Sequence, residues 1–148
     1  MFEKIRKLKD RKGFTLVELI VVLVILAILA ALLIPALTGY IDKANQEKVI
    51  AECRMAVMAV QTQSTTLYGE KGKVTSTDLK TADAEIRKLA EVSGYWEATV
   101  SEAGKVTSLK YENTTWHVEY TAANGSDKAA TYSKPAQQEQ TITEDKYN

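Results

Sequence analysis

The stretch Lys12-Gly13-Phe14-Thr15-Leu16-Val17-Glu18-Leu19 decides the fold of this chain. Glu18 is the only charged residue in the long run that follows Gly13 and reaches to Ile41. An ionisable side chain costs roughly 2.5–3.5 kcal/mol at the centre of a membrane and less near its surface. A sequence that keeps this carboxylate is therefore expected to supply a partner of opposite charge.

The apolar run after Glu18 is long enough to cross a membrane. All nineteen residues from Leu19 to Leu37 are apolar, and Pro35 is the only one that disfavours a helix. As a helix they span about 28 Å, close to the thickness of the hydrocarbon layer. A helix that is apolar on every side is not buried in a soluble domain of this size. The segment is therefore predicted to enter a membrane.

Charge is distributed unevenly, although the 19 basic and 19 acidic side chains of the 148 residues cancel. Residues 1–13 hold six basic and two acidic side chains, so the remainder carries a net charge of −4. Basic flanks of a membrane segment stay in the cytoplasm. The body after the apolar run is therefore predicted to face outward.

Two ordinary interpretations explain part of this pattern. A secretory signal peptide fits the basic head and the small residues from Ala27 to Ala31, but the apolar run continues beyond them. A plain single-span anchor fits the length and the charge asymmetry. Neither interpretation explains Glu18, or the Gly13-Phe14 pair between the basic head and the apolar run.

The segment Gly-Phe-Thr-Leu-Val-Glu-Leu-Ile-Val-Val, residues 13–22, resembles the N-terminus of type IV pilins and pseudopilins, and the resemblance extends to about Ala44. It implies that a prepilin peptidase removes the basic leader, residues 1–13, by cutting between Gly13 and Phe14. It also implies N-methylation of the new amino group on Phe14, which keeps its positive charge. In a bundle of packed subunits, this ammonium is expected to pair with Glu18 of a neighbour and to fix the axial register of the helices.

Pro35 and Gly39 weaken the helix where it is predicted to leave the membrane. Proline removes the hydrogen bond to the carbonyl of Ala31, and glycine costs about 1 kcal/mol in a helix. Two interpretations stay open. One is a kink without functional consequence, which is common in membrane helices. The other, by analogy with the family, is a segment that stretches or melts when the subunit leaves the bilayer.

The predicted fold is α+β: a long N-terminal helix, transmembrane in its first half, packs on a small antiparallel sheet of three to four strands. The hydrophobic assembly helix covers residues 14–39, and an extracytoplasmic pilin domain covers residues 40–148. Helix continues over residues 40–68, with an apolar stripe at helical spacing formed by Val49, Cys53, Ala56, Val57, Val60 and Leu67.

A second helix is predicted over residues 78–93, capped by Thr77 and ended by Gly94. The pattern then changes to that of strands, predicted over residues 95–101, 106–111 and 115–121, with a fourth near 129–132 and a turn at Asn124-Gly125-Ser126-Asp127. Residues 133–148 are polar and are predicted to form a loose end, or at most an edge strand near residues 140–143.

The chain departs from the family pattern in its cysteines and acidic residues. Cys53 is the only cysteine, so it forms no disulfide within the chain. Pairing with a cysteine of another chain stays open, but the favoured role is that of a small apolar filler. Many pilins of Gram-negative bacteria close their C-terminal region with a disulfide, so its lack suggests a Gram-positive source. Secretion pseudopilins often bind calcium near the C-terminus, but Glu139, Glu144 and Asp145 lack the spacing of a tight site. No metal or other cofactor is predicted.

Catalytic patterns are missing from the sequence. His117 is the only histidine and is expected to be a solvated strand residue, and no Cys or His cluster suits zinc. No glycine-rich phosphate loop follows a strand, so enzyme activity is not predicted. The triplets Asn113-Thr114-Thr115 and Asn124-Gly125-Ser126 match the N-glycosylation pattern, which often arises by chance.

The resemblance favours a structural function, the major pilin of a type IV pilus used for adhesion, surface motility or biofilm formation. The subunit is expected to wait in the cell membrane, with its N-terminus in the cytoplasm, and then to join a homo-oligomeric extracellular helical fibre. Its expected partners are the prepilin peptidase, an inner-membrane assembly platform and minor pilins. The alternative is a pseudopilin of a type II secretion or competence DNA-uptake system.

Two further classes are disfavoured. A DNA- or surface-binding module would need a basic patch, and Lys105, Lys110 and Lys128 are too scattered to form one, so no nucleic acid is predicted as a partner. A membrane-anchored enzyme would need a catalytic set, which the sequence does not offer.

Overall fold

The computed structural model describes residues 13–124 and 129–148. The predicted leader up to Lys12 lies outside the described residues, as does most of the turn predicted at residues 124–127. The chain divides into two compact units, Met1–Asp42 and Lys43–Asn148.

Helix α1 covers Leu16–Lys71, 56 residues. Its apolar window has a mean hydropathy of 3.3 and is 0% buried, so the helix is long and apolar enough to cross a membrane. Helical structure continues through Pro35 and Gly39. The Thr38 hydroxyl donates a 2.9 Å hydrogen bond to the Pro35 carbonyl.

In the second unit, α1 buries the predicted apolar stripe against the sheet. Val49, Cys53, Ala56 and Val60 are fully buried, and Leu67 is partly buried. They form one core with the inner rows of the first three strands, which comprise Trp96, Ala98, Leu109, Tyr111, Trp116 and Val118. Burial of this continuous apolar surface is the main force that holds the helix on the sheet.

The predicted second helix is instead two short helices, α2 over Ser76–Thr81 and α3 over Asp83–Ala90. The predicted cap, Thr77, is wrong: Thr75 caps α2 through a capping box with Asp78, in which each residue accepts a hydrogen bond from the other's backbone. Helix α3 ends at Ala90 and is capped by Glu91, which has a left-handed backbone with φ 50°, so the predicted stop at Gly94 is wrong.

Gly94 is required by packing. A Cβ at this position would lie 2.4 Å from both the Glu112 carbonyl oxygen and the Tyr111 ring. The glycine therefore lets the chain pass close to Tyr111 and Glu112 as it turns from the helix into the sheet.

The sheet contains the predicted three-stranded meander: β1 over Tyr95–Val100, β2 over Val106–Glu112 and β3 over Trp116–Thr121. Consecutive strands pair antiparallel, with Trp96 opposite Tyr111 and Tyr111 opposite Val118. Buried residues alternate in β1 and β3, as expected for a sheet with one face on the core. In β2 the alternation is broken, because the adjacent residues Tyr111 and Glu112 are both buried.

Three strands of two residues each extend this meander within the described residues, so the prediction of three to four strands was too low. Strands β4 (Thr131–Tyr132) and β5 (Ala136–Gln137) pair antiparallel with β3. Strand β6 (Lys146–Tyr147) pairs parallel with β1, so the sheet is mixed and not wholly antiparallel. The strand order is β4-β3-β2-β1-β6.

The predicted loose end is also wrong, because residues 133–148 fold back on the sheet. Ile142 and Tyr147 are buried, and Asn148 exchanges backbone hydrogen bonds with Ala98 and Val100. The segment contributes β5 and β6, whereas residues 140–143 form no strand.

Candidate assembly site

The candidate assembly site is the N-terminal end of α1, where Glu18 lies in the first turn. The Glu18 carboxylate accepts hydrogen bonds from the Thr15 backbone N–H at 2.9 Å and from the Thr15 hydroxyl at 3.1 Å. In return, the Glu18 N–H donates to Thr15 Oγ1 at 3.2 Å. These reciprocal bonds form a capping box, and they satisfy backbone donors that a helix start leaves free.

This arrangement gives Glu18 a role within its own chain that the sequence analysis missed. The signal was readable, because Thr15-Leu16-Val17-Glu18 fits the capping pattern of Ser or Thr followed three residues later by Glu. A carboxylate here also interacts favourably with the positive end of the helix dipole.

The other predicted assembly residues are open to their surroundings. Phe14 is 86% exposed, and nothing lies within 4 Å of a Cβ built on Gly13. The backbone on both sides of the predicted cleavage site is therefore accessible. Cleavage, N-methylation and the pairing of Phe14 with Glu18 of a neighbour stay predictions, as does a kink at Pro35 and Gly39.

Farther along α1, Glu52 connects the helix to the sheet. The Tyr111 hydroxyl donates to Glu52 Oε2 at 3.1 Å and accepts a 3.0 Å hydrogen bond from the Gly94 N–H. Burial is the main cause that raises the pKa of Tyr111, so the phenol stays protonated and can donate.

Asn113, in one of the two glycosylation triplets, also belongs to this network. Its Nδ2 donates to Glu52 at 3.3 Å, and its Oδ1 accepts from the backbone N–H groups of Thr115 and Trp116 at 3.1 and 2.8 Å. The amide that a sugar would modify is therefore used in the turn between β2 and β3. The second triplet lies partly outside the described residues.

A buried carboxylate, Glu112, holds the segment that follows β5. Its side chain is 1% exposed and receives the Lys110 ammonium at 2.8 Å. It accepts hydrogen bonds from Thr141 N at 2.7 Å, from Ile142 N at 2.8 Å, and from the side chains of Thr141 and Gln138, both at 2.9 Å. Burial alone would raise the pKa of Glu112, but these donors outweigh it and hold the pKa at about 2.

A second buried carboxylate, Asp145, holds the last part of the chain. Its side chain is 1% exposed, and its Oδ1 accepts from Arg87 Nη2 at 2.6 Å and from Trp96 N at 3.2 Å. Burial raises the pKa of Asp145 to about 6 despite these two donors. Nearby, the Tyr147 hydroxyl donates to Asp83 at 2.7 Å and accepts from the Trp96 indole at 3.2 Å.

Two other residues considered in the sequence analysis, Cys53 and His117, are at least partly buried. Cys53 is fully buried, and burial raises the pKa of its thiol to about 12, as suits an apolar filler. His117 is half-buried with its Nδ1 covered, so it is less solvated than predicted. Over residues 13–124 and 129–148, no three Asp, Glu, His or Cys side chains are close enough to share a metal ion.

Comparison with known proteins gives one informative match. Residues 8–34 match the family model described as the prokaryotic N-terminal methylation motif. No curated protein and no solved structure matches the chain significantly. The matched residues include Gly13, Phe14 and Glu18, and they lead into a long N-terminal helix followed by a mixed sheet. Motif and fold together support the placement of this chain in the type IV pilin and pseudopilin family.

Proposed function

We propose that the chain is the major pilin of a type IV pilus. The mature subunit waits in the cell membrane and then enters an extracellular helical fibre that serves adhesion, surface motility or biofilm formation. The prepilin peptidase, the inner-membrane assembly platform and minor pilins are its partners in this pathway.

One observation carries the proposal. Glu18 is the only charged residue between Gly13 and Asp42. The large apolar residues of this part of α1 are about half exposed or more, from Leu16 at 75% to Ile41 at 49%. Such a surface needs lipid or other helices of the same kind to cover it. A carboxylate at the start of this apolar surface favours one axial register between packed helices.

The capping box explains how Glu18 can serve both states. The hydrogen bonds that its carboxylate accepts from residues 13–124 and 129–148 all involve Oε2, so among these residues Oε1 has no partner and is the oxygen that would receive a cation. Cleavage after Gly13 would create that cation at Phe14, which is exposed beside it. In the subunit the carboxylate caps its own helix, and in the fibre the same group binds the ammonium of a neighbour.

Two variants separate these roles. Glu18→Gln keeps a side chain that suits the capping box but removes the charge, whereas Glu18→Ala removes both. If the ion pair drives assembly, both variants reach the membrane and both lose fibres, measured by electron microscopy and by the amount of subunit in sheared surface fractions. Wild-type fibre yield from Glu18→Gln would show that capping alone suffices and would refute the ion pair.

A pseudopilin is the second candidate function, because pseudopilins and pilins resemble each other in the N-terminal segment on which the resemblance of this chain depends. Long surface fibres with this chain as the main component support the pilin. Short periplasmic or cell-wall assemblies, together with a secretion or DNA-uptake defect in a deletion strain, support the pseudopilin. The N-terminal residue of the cellular protein tests the processing step that both share: methylated phenylalanine is expected, and an intact Met1 or a start near Ala31 would refute it.

A further inference from the structure

Asp145 has a carboxylate of which only one oxygen is satisfied. Its Oδ1 accepts hydrogen bonds from Arg87 and Trp96, whereas its Oδ2 is buried and has no hydrogen-bond partner in residues 13–124 and 129–148. A buried charged oxygen without a donor is costly, because burial removes the water that would solvate it. A proton on Oδ2 would remove the charge, so this site suits the neutral acid better than the carboxylate.

The groups that face Asp145 do not offset its burial. Arg87, on α3, contacts it at 2.6 Å, but the Arg87 side chain is 33% exposed, so water screens part of its charge. Asp83, on the same helix, adds negative charge and accepts a hydrogen bond from the Tyr147 hydroxyl at 2.7 Å. Burial, and to a smaller extent the charge of Asp83, raise the pKa of Asp145 to about 6. The other ionisable groups around it are Lys80 on α2, Tyr95 and Glu97 on β1, and Glu144, Lys146 and Tyr147 beside it in the chain.

The segment around Asp145 has room to move by itself. We call residues 144–148 the latch; they include the two-residue strand β6. Asn148 joins the latch to β1, because its N–H donates to the Ala98 carbonyl at 2.8 Å and its carbonyl accepts from the Val100 N–H at 2.9 Å. All five latch residues line a cavity of about 280 Å³ whose other wall is α2. The latch can therefore separate from β1 without displacing another element.

The residues just before the latch are held in a different way. Thr141 N and Ile142 N donate to the Glu112 carboxylate, whose charge is satisfied by these donors and by Lys110. This attachment is strongest when the carboxylate is charged, so it is retained at every pH above about 4.5. Two buried carboxylates thus hold adjacent parts of one segment with opposite preferences for protonation.

We propose that the latch is a pH-sensitive device, closed on β1 and α3 when Asp145 is protonated and opening locally when Asp145 loses its proton. Opening brings the carboxylate into water and removes the cost of its burial, while Glu112 keeps residues 138–142 on the sheet. A folded-state pKa above the unfolded value of 3.8 stabilises the closed latch fully below pH 3.8, and this stabilisation is lost as the pH rises through 6. The inference concerns the second unit alone and does not depend on the proposed function.

Amide hydrogen exchange of the full-length chain in mild detergent, followed by NMR, tests the latch between pH 4 and pH 7. The amides of Val100 and Asn148 report its opening, after correction for the intrinsic pH dependence of exchange. Their protection should fall at least about tenfold over this range, because opening is linked to release of the Asp145 proton. The amides of Thr141 and Ile142 are the internal control, and their protection should change less than about threefold.

Two variants assign the effect to Asp145. Asp145→Asn cannot titrate, so the protection of Val100 and Asn148 should no longer depend on pH. Glu144→Gln is the matched control, because Glu144 is the exposed acid next to it and its replacement should keep the wild-type pH dependence. Fluorescence of the buried Trp96 verifies folding; if Asp145→Asn does not fold, the wild-type contrast between Val100 and Ile142 decides.

Three results would overturn the inference. They are constant protection of Val100 and Asn148 in the wild type, an equal change at Ile142, which would mean that the segment moves as one piece, and a wild-type pH dependence in Asp145→Asn. Each of these results leaves the pilin proposal standing, and a chain that forms no fibres leaves the latch standing.

Discussion

Replacement of Glu112 by Gln keeps the shape of the side chain and removes the charge that holds residues 138–142. The wild-type carboxylate has a pKa of about 2 instead of 4.5. At about 1.36 kcal/mol per pH unit, this difference corresponds to roughly 3 kcal/mol of stability. The contacts predict a loss of stability of the same size. The amide of the introduced glutamine would direct its NH₂ group at donors such as Thr141 N and Ile142 N, which would then lose their acceptor.

The sign of the pH effect follows from the lowered pKa. Above pH 4.5 the carboxylate is charged in both folded and unfolded chains, and its full contribution is present. As the pH falls from 4.5 towards 2, the unfolded chain takes up a proton before the folded chain does, and the contribution is lost. Glu112→Gln should therefore lower the free energy of unfolding by about 3 kcal/mol at pH 7, with the difference from wild type shrinking towards zero near pH 2.

The assay is urea unfolding of the full-length chain in mild detergent, followed by fluorescence of Trp96 and Trp116. Glu102→Gln is the matched control, because both side chains of the Lys73–Glu102 ion pair are more than half exposed, 56% and 78%, and such a pair is worth less than about 1 kcal/mol. A Glu112→Gln loss that is the same at pH 7 and pH 2.5 would refute the charge-based argument. A loss at pH 7 no larger than that of Glu102→Gln would refute the assigned role of Glu112.

Further predictions are tested by the same urea unfolding experiment. Gly94→Ala should lower the free energy of unfolding by about 3 kcal/mol, because its Cβ would lie 2.4 Å from the Glu112 carbonyl and the Tyr111 ring. Gly69→Ala, with open space around its Cβ, is the control and should lose nothing; equal effects would refute the close packing. Burial raises the pKa of Asp145 from 3.8 to about 6, so the folded chain binds this proton more tightly than the unfolded chain does. The free energy of unfolding of the wild type should therefore fall by up to about 3 kcal/mol as the pH rises from 4 through 6. Asp145→Asn should lack this slope, and the same slope in both proteins would contradict the assignment.

The sequence predicted those parts of the fold that depend on local patterns. The apolar run after Glu18 and the stripe that contains Val49 and Cys53 predicted the long helix, because helical spacing is visible within a few turns. Alternation within each strand and short turns predicted the meander. The capping role of Thr15 was equally local and was missed only because the charge of Glu18 was considered for its partner in another subunit.

Most of the remaining errors concern contacts between residues distant in sequence. Glu112 and Asp145 look like ordinary surface charges, since their partners Thr141 and Arg87 are 29 and 58 residues away. Without those partners the sequence gives no reason to fold residues 133–148 onto the sheet. The break between α2 and α3 at Ala82 was also unmarked, because neither glycine nor proline stands there.

The parallel pairing of β6 with β1 has a consequence for the order in which the subunit matures. Strands β1, β2 and β3 follow one another closely and can pair as soon as they emerge, whereas β6 must close a loop of nearly fifty residues before its hydrogen bonds form. Until that late step, the N–H and C=O groups of β1 form an open edge to which a strand of another molecule can add. A chain in which residues 146–148 have not yet paired would therefore expose an edge that is prone to strand addition between molecules.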